Sequence, residues 1–476
     1  MSARILHALA RAKGLRPTYT DGLGDRRSAP PEAIIAVLRA LRVDIDSPAD
    51  APRLLRDHNR KPPPLAGPVA VAWDRPDLPE NGEPTRSIEA HVEAVRADTP
   101  AIVRITTEDG SAFEHRATPK DAEPATTPGF ARARLPLPDA VPHGRHTITI
   151  EHADRRAESI LLAAPRACWS PPGPERTLGL FLPSYAARAD NDWGAGGTSE
   201  LAELLELTRS VGAHWLGTLP LLAQFYDRFN DDRADTPFDR SPYAPVSRRF
   251  WNERLADPTR APELECCPQA QQLLASPVFE QRLDRLRAHE LADDAEAWRV
   301  KREALHALAR CAFSGDAGAQ RRDRLVRNNP DLAAYADFRA SWLAGAPAAE
   351  RRDERDLYLY AQDLVRAQLG QLTTDHPRLY LDLPIGTHAQ GFDARSSPEE
   401  FASGISMGAP PDGLFAGGQN WSIIPTHPIG SRARGHADFA AAIRAHLRIA
   451  GALRIDHVMW MHRAFWIPAG MPPAAG

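Results

Sequence analysis

The sequence predicts an α/β chain: a parallel sheet covered by helices, open or closed into a barrel, preceded by a helical segment and a small β-sandwich-like domain. Three observations predict it. Hydrophobic periodicity is helical over residues 1–60, changes to a period of two from Val69 to about Leu162, and from about residue 175 alternates strand with helix. Two proline-rich stretches, KPPPLAGP at 61–68 and WSPPGPER at 169–176, separate the regimes, because neither can hold a helix. The length of 476 residues suits two or three domains, and 43% apolar against 25% charged residues is the balance of a globular chain with a large core.

The segment 1–60 holds one amphipathic helix through Ile5, Leu6, Leu9 and Ala10, and a second after Pro30-Pro31 through Ile34, Ile35, Leu38 and Leu41. Over 69–165, the runs VAVAW, IEAHVEAV, AIVRITT, ARARLPL and HTITIEHA read as strands between Pro, Gly and Asp turns. In the part 175–476, LGLFLPS (178–184) reads as a buried strand. A helix follows with Leu201, Leu204, Leu205 and Leu207 on one face, and then the strand HWLGTLPLL (214–222). Residues 255–370 are a helical insertion rich in Ala, Arg and Leu. RLYLDLPIG (378–386) is a third strand, and the helix FAAAIRAHLRIAGA (439–452) leads into a fourth, LRIDHVM (453–459).

Composition narrows the function. With 58 basic against 62 acidic residues and a net charge of −4, no field for a polyanion exists, so no nucleic-acid partner is expected. No apolar run approaches about 18 residues, so no membrane span is expected. MSARILHALARAKGLRP lacks the apolar core of a secretory signal. It reads as an ordinary helix closed by Gly14 and Pro17, with an Arg-rich transit peptide as the alternative. The cysteines at 168, 266, 267 and 311 have no CxxC spacing, so neither a zinc site nor a disulfide framework is indicated; free thiols and a cytoplasmic location are the expectation. DNDWGAGG (190–197) has neither the spacing of a calcium loop nor a P-loop lysine, so no metal is expected.

Chemistry concentrates on the fourth strand. With a side-chain period of two, Arg454 and Asp456 share one face and Leu453 and Ile455 the other. Two charges on one face of an apolar strand are costly unless they offset one another or point into a site. An arginine beside an aspartate favours the ionised carboxylate, the form a carboxylate nucleophile requires. A buried structural ion pair is the competing reading. Asp382 ends the apolar run LYLDL just before Pro384, near the C-terminal end of a strand, where barrel enzymes place working residues; a loop-capping Asp is the alternative. Tyr185, Trp193, Tyr243, Gln419, Asn420 and Trp421 gather in loops, and such aromatic faces and amides would suit a sugar groove, although each alone also suits packing.

Several blocks occur in order: GLFLPSYAARADNDWGAGGTSEL, SPYAPVSRRFWNERL, LYLDLPIGTHAQGFDA, GAPPDGLFAGGQNW and GALRIDHVMWMHRAFWIPAG. From about 175 to 470 the chain resembles the amylomaltases, 4-α-glucanotransferases of the α-amylase superfamily, and its first part resembles their N-terminal extension more loosely. The resemblance implies retaining transfer between α-1,4-glucans or malto-oligosaccharides, with no cofactor, on a (β/α)8 TIM-type barrel. It implies Asp456 as nucleophile, Arg454 as its partner, Asp382 as the aspartate of the third-strand block, and Tyr243 and His457 at the substrate. Trp193, Gln419, Asn420 and Trp421 would complete the groove. Ser422 and Trp460 stand where relatives commonly have Gly, and Arg395 where Trp is usual, so these positions could impair glucan binding. The family's acid/base glutamate and its later His-Asp pair follow the RIDH strand, and neither block is present in this sequence. With four strands where a closed barrel needs eight, the expectation is an incomplete barrel on a truncated chain that is inactive or nearly so. An α-amylase-type hydrolase and a non-catalytic glucan-binding fragment are the rival readings.

Overall fold

A computed structural model describes residues 2–74, 86–168, 170, 176–226, 238–343, 346–373 and 377–476. The described chain forms two compact units. One comprises Met1–Gly173 with His427–Ala437 and Ala475; the other comprises Pro174–Thr426, Asp438–Ala474 and Gly476. The predicted break at 169–176 falls largely outside the described residues.

In the first unit, helices Ser2–Ala12, Pro31–Ala40 and Ala51–Arg60 share a small core built on Leu6, Leu9, Ile34 and Leu38. The third helix was not predicted, although Ala51, Leu54 and Leu55, spaced i, i+3 and i+4, form the stripe that packs on this core. It follows directly on a 3-10 turn, Pro48–Asp50, whose start is set by Ser47: the Ser47 side chain accepts from the Ala49 N–H and is paired with Asp50 in a capping box. A five-stranded sheet then runs in the order Val69–Trp73, Arg155–Ala164, Gly144–His152, Ala101–Thr106, Ala112–Ala117. A three-stranded sheet runs Ser87–Glu93, Phe130–Pro136, Lys120–Pro124. Ile88 and Leu135 from the second sheet and Val103, Ile148 and Leu161 from the first are buried in one core, which makes the pair a sandwich. Strands 112–117, 120–124 and 155–164 were not legible, because their charged residues hide the alternation. His427–Ala437 belongs to this unit through Gly435, which has φ +62 and where a Cβ would lie 2.0 Å from Ile160 Cδ1.

The second unit is built on four parallel strands in chain order: Gly179–Phe181, Trp215–Gly217, Arg378–Leu383 and Ala452–Ile455. Leu216, Leu379 and Leu381 point into the helical side and are buried there. The opposite face carries Phe181 at 61% and Tyr380 at 39% exposure, so the first strand is an exposed edge rather than the buried strand its composition suggests. The sheet is open, with the first and fourth strands as its edges; no closed barrel forms among the described residues. The helix Thr198–Ser210 buries Leu201 and Leu205, whereas Leu207 is exposed, since at 100° per residue it falls on the far side from Leu201. The insertion holds helices Pro268–Leu274, Pro277–Ala288, Asp294–Ala312, Gly315–Asn328, Pro330–Ser341 and Ala348–Gln371. Cys267 and Cys311 form a disulfide across 44 residues of it, which corrects the expectation of free thiols for two of the four cysteines. Spacing could not show this pair, because folding of the insertion brings the two together. Cys168 and Cys266 are free and exposed.

A second sheet, antiparallel, was not predicted: Thr387–His388, Gln419–Ile424, Ile405–Ala409, Phe465–Pro468. It places Gln419, Asn420 and Trp421 on a strand instead of a loop. Gly408 makes this possible, since a Cβ there would lie 1.9 Å from the Gln419 carbonyl, at the point where the ladder slips register.

Candidate active site

Asp382 and Arg454 sit directly opposite one another on the third and fourth parallel strands, at their C-terminal ends. The Asp456 N–H donates to the Leu383 carbonyl at 3.0 Å, so the ladder continues one step beyond the fourth strand and fixes where Asp456 stands. His457 then takes a left-handed conformation, φ +44, and turns the chain into a 3-10 helix, Val458–Met461, instead of the longer strand predicted.

Arg454 joins the two carboxylates. Its Nη1 donates to Asp382 Oδ2 at 2.5 Å and its Nη2 to Asp456 Oδ1 at 2.6 Å. The Tyr243 hydroxyl donates to the same Asp382 Oδ2 at 2.7 Å. Asp382 Oδ1 is buried and has no hydrogen-bond partner among the described residues. Burial pushes the Asp382 carboxyl up, Tyr243 and Arg454 oppose that, and the charge on Asp456 adds to it. The Tyr243 hydroxyl is pushed up to about 12, first by burial and then by Asp382, so it stays a donor. Burial works against the charge on Arg454, but Asp382 and Asp456 outweigh it and hold the guanidinium protonated. One fork thus serves two acids of different standing: Asp382 is 3% exposed, while the Asp456 side chain is 22% exposed.

The segment that carries Tyr243 is fastened by a buried clamp that sequence reading missed. Ser247 Oγ donates to Asp393 Oδ1 at 2.5 Å, and the Arg248 N–H to Asp393 Oδ2 at 2.7 Å. Arg248 also pairs with Asp438 at 2.9 Å and donates to the Ile385 carbonyl, three residues past Asp382. Thr387 Oγ1 donates to the Pro245 carbonyl at 2.8 Å. Burial and the neighbouring Asp438 push the Asp393 carboxyl up, against Arg249 and Arg248. The sequence carries only the charges themselves, beside aromatic residues in SRRF and GFDA, and nothing in it pairs blocks about 145 residues apart.

The remaining predicted residues divide. The Trp421 indole meets the His457 ring edge-on, with centroids 5.2 Å apart, which brings it beside Asp456. Trp421 Nε1 donates to Gln419 Oε1 at 3.2 Å, and Asn420 Oδ1 accepts from Ser406 Oγ and from the Ser422 N–H, so both amides keep their NH2 groups for another partner. Tyr185 lies in the 3-10 helix Ser184–Ala186 and is 37% exposed. Trp193 is a correction. It is 4% exposed and packed edge-on to Phe279 with Lys301 over its ring, so no face is open to a sugar. Its glycine-rich setting (DWGAGG) looks like a loop, but the helical insertion folds over it. Ser422 holds φ +56, the region that favours glycine. Trp460 fills an aromatic patch with Trp421 and Trp466 and stands edge-on to Phe439. Arg395 lies over the Phe338 and Trp342 rings. Among the described residues, no group of three or more His, Cys, Asp or Glu is placed to hold a metal ion, and no helix is long and apolar enough to cross a membrane.

Comparison with known proteins then decides the relationship. The family model described as 4-alpha-glucanotransferase matches residues 182–345 and 343–476. The chain belongs to the 4-alpha-glucanotransferase family. The MalQ N-terminal beta sandwich domain matches residues 79–165. The 4-alpha-glucanotransferase of Mycobacterium tuberculosis (strain ATCC 25618 / H37Rv) is 30% identical over 511 residues, covering 98% of this chain and 67% of that protein. That of Haemophilus influenzae is 28% identical over 385 residues, covering 72% of this chain and 54% of its own length. The amylomaltase from Corynebacterium glutamicum superposes with a TM-score of 0.78 at 23% identity, over 100% of this chain and 68% of that one, which shows the shared fold. Members of this family are transferases, so the chain is enzyme-like in class, and it spans about two thirds of the length of its mycobacterial relative.

Proposed function

We propose that the site carries out the glycosyl-enzyme half of a retaining 4-α-glucan transfer, with α-1,4-glucans or malto-oligosaccharides as donors and Asp456 as nucleophile. The observation that supports it most is the arginine fork. Arg454 occupies Asp456 Oδ1, and no partner holds Oδ2 among the described residues, so the second oxygen of a partly exposed side chain is left to attack an anomeric carbon. Asp382 shares the fork and offers its unpaired Oδ1 to a sugar hydroxyl, while Tyr243 and Trp421 provide flat faces and the Asn420 and Gln419 amides provide donors. The attack breaks the glycosidic bond and forms an ester at Asp456; the departing oxygen needs a proton from a second carboxyl group. No glutamate is hydrogen-bonded into this cluster among the described residues.

This predicts a split between donors. Fluoride leaves without a proton, so α-maltosyl fluoride should glycosylate Asp456, and the adduct should accumulate and be found by peptide mass spectrometry. Maltotriose, which needs the proton, should react with the 476-residue chain slower by about 10²–10⁴-fold. An adduct on another residue, or one that persists in Asp456→Asn, would remove Asp456 from the role. Rapid disproportionation of maltotriose would show instead that an acid is at hand.

A further inference from the structure

Within the helical insertion lies a cleft of about 680 Å³ that the transfer chemistry does not use. It is lined by Arg322 from Gly315–Asn328, by Asp337, Ala340 and Ser341 from Pro330–Ser341, and by the first turns of Ala348–Gln371. On that last helix Ala348, Arg351, Arg352 and Arg355 are spaced i, i+3, i+4 and i+7, so they form one stripe, and the cleft runs along it. Three arginines on one stripe repel, Arg351 and Arg355 as an i, i+4 pair and Arg352 and Arg355 as an i, i+3 pair. Arg351 also lies in the first turn, at the positive end of the helix dipole, where a cation is disfavoured. Such an arrangement is stabilised by an anion.

The cleft itself only partly supplies one. Arg355 pairs with Asp337 at 2.5 Å and Arg322 with Asp356 at 3.0 Å, so the two aspartates in the lining are committed. Arg351 donates to the Ala346 carbonyl at 2.5 Å, a neutral acceptor that leaves its charge unmatched. Arg352 has no ion-pair or hydrogen-bond partner among the described residues. Four arginines against two aspartates leave an excess of two positive charges in the lining. A second observation concerns the shape of the ligand: Asp356 Oδ1 is buried and has no hydrogen-bond partner among the described residues. An unpaired buried acceptor is costly and calls for a donor, such as a hydroxyl. Ser341 Oγ donates to the Phe338 carbonyl at 2.6 Å and keeps its lone pairs for a further donor.

From this we infer that the cleft binds a sugar phosphate. Its dianionic phosphoryl group lies on the Arg351 and Arg352 guanidinium planes, which match phosphate oxygens two at a time, and its hydroxyls donate to Asp356 and Ser341. The volume lies in the range of small-molecule sites, and Ala340 and Ala348 leave room for a pyranose ring. The lining contains no aromatic ring on which a nucleotide base could stack, so a nucleotide is the poorer fit. Ala348–Gln371 has 24 residues, about 36 Å of helix, and its far end leads towards the strand that carries Asp382. The cleft is therefore a separate site from the arginine fork.

Titration calorimetry on the 476-residue chain at low salt tests the inference, with glucose 6-phosphate, inorganic phosphate and glucose as the three probes. Saturable binding of glucose 6-phosphate, at least about tenfold weaker binding of inorganic phosphate and no heat with glucose are expected. Arg351→Gln with Arg352→Gln should lower the affinity at least tenfold with an unchanged circular dichroism spectrum. Arg352→Gln alone, at a position without a partner, keeps the test available if the double variant fails to fold. Asp356→Asn should weaken the sugar phosphate more than inorganic phosphate. Absence of saturable binding by either phosphate, or binding untouched by the arginine variants, overturns the site. Equal affinity for the two phosphates overturns the assignment of a sugar.

Discussion

Arg454→Leu is the change that asks most of this site. The wild-type guanidinium makes two charge-assisted hydrogen bonds, one to each carboxylate. Each is worth about 1.5–3 kcal/mol when buried. The Arg454 side chain is 44% exposed, so solvent screening reduces each to about 1 kcal/mol, and the pair to about 2 kcal/mol. For a unit of about 290 residues that lowers Tm by about 3 °C. The pH dependence carries the sharper information. Burial already raises the Asp382 carboxyl above its ordinary value, and Arg454 is one of the groups holding it down. Without the arginine it rises further, so the folded variant keeps a proton that the unfolded chain has released. Between the ordinary carboxylate range and the raised folded value the folded state binds more protons, and stability falls as pH rises through that window, then levels off. Differential scanning fluorimetry from about pH 4 to 8 should show the gap to wild type widest near neutrality and narrowing in acid. A gap that widens on acidification, or a Tm change below about 1 °C, would refute the view that Arg454 is needed mainly to hold a reluctant carboxylate ionised.

Three further outcomes follow from local geometry. Ser422→Gly should stabilise the chain by about 0.5–1 kcal/mol, because Ser422 sits at φ +56 and an L side chain pays about 1–2 kcal/mol there, less the entropy glycine loses on folding; a lower Tm for the glycine variant would contradict this. Asp393→Ala should cost about 3–5 kcal/mol in urea unfolding, since it strands Ser247, the Arg248 N–H and Arg249 in a site with no exposure, and Asp393→Asn should recover part of the loss; equal effects of the two would show the charge to be all that matters. Reduction of Cys267–Cys311 should lower stability by up to about 4 kcal/mol on the loop-entropy relation for 44 residues, and a Cys267→Ser, Cys311→Ser variant should lose all sensitivity to dithiothreitol.

What could be read from the sequence was whatever a local period encodes. Alternation in VAVAW and IEAHVEAV found the sandwich strands, and the apolar runs LGLFL and LYLDL found the parallel ones, because each records its own burial face. Arg454 and Asp456 were legible for the same reason: two residues apart on a strand, they had to share a side. Asp382 joined them through a register the sequence suggests but does not state. What stayed hidden depends on contacts between distant segments. The antiparallel strands 405–409 and 419–424 are too short to show a period, and the glycines that precede 419 suggest a loop, so Gln419, Asn420 and Trp421 looked like loop residues. Trp193 looked exposed in its run of glycines because the helices that bury it come about 85–105 residues later. The Ser247–Asp393 clamp and the Cys267–Cys311 link likewise join positions that no window of sequence contains.

The placement of His427–Ala437 with the sandwich-bearing unit bears on how this chain can be divided. The backbone passes from one unit to the other at 173–174, again at 426–427, and back at 437–438. A single cut after the sandwich would therefore release neither unit whole. The N-terminal piece would lack the segment whose glycine at 435 meets Ile160, and the C-terminal piece would carry that segment, with its short helix Pro428–Ala433, without the residues it packs on. Excision of either half as an independent module should yield a less stable product than the intact chain, and a deletion intended to isolate the parallel strands would have to bridge Thr426 to Asp438 as well.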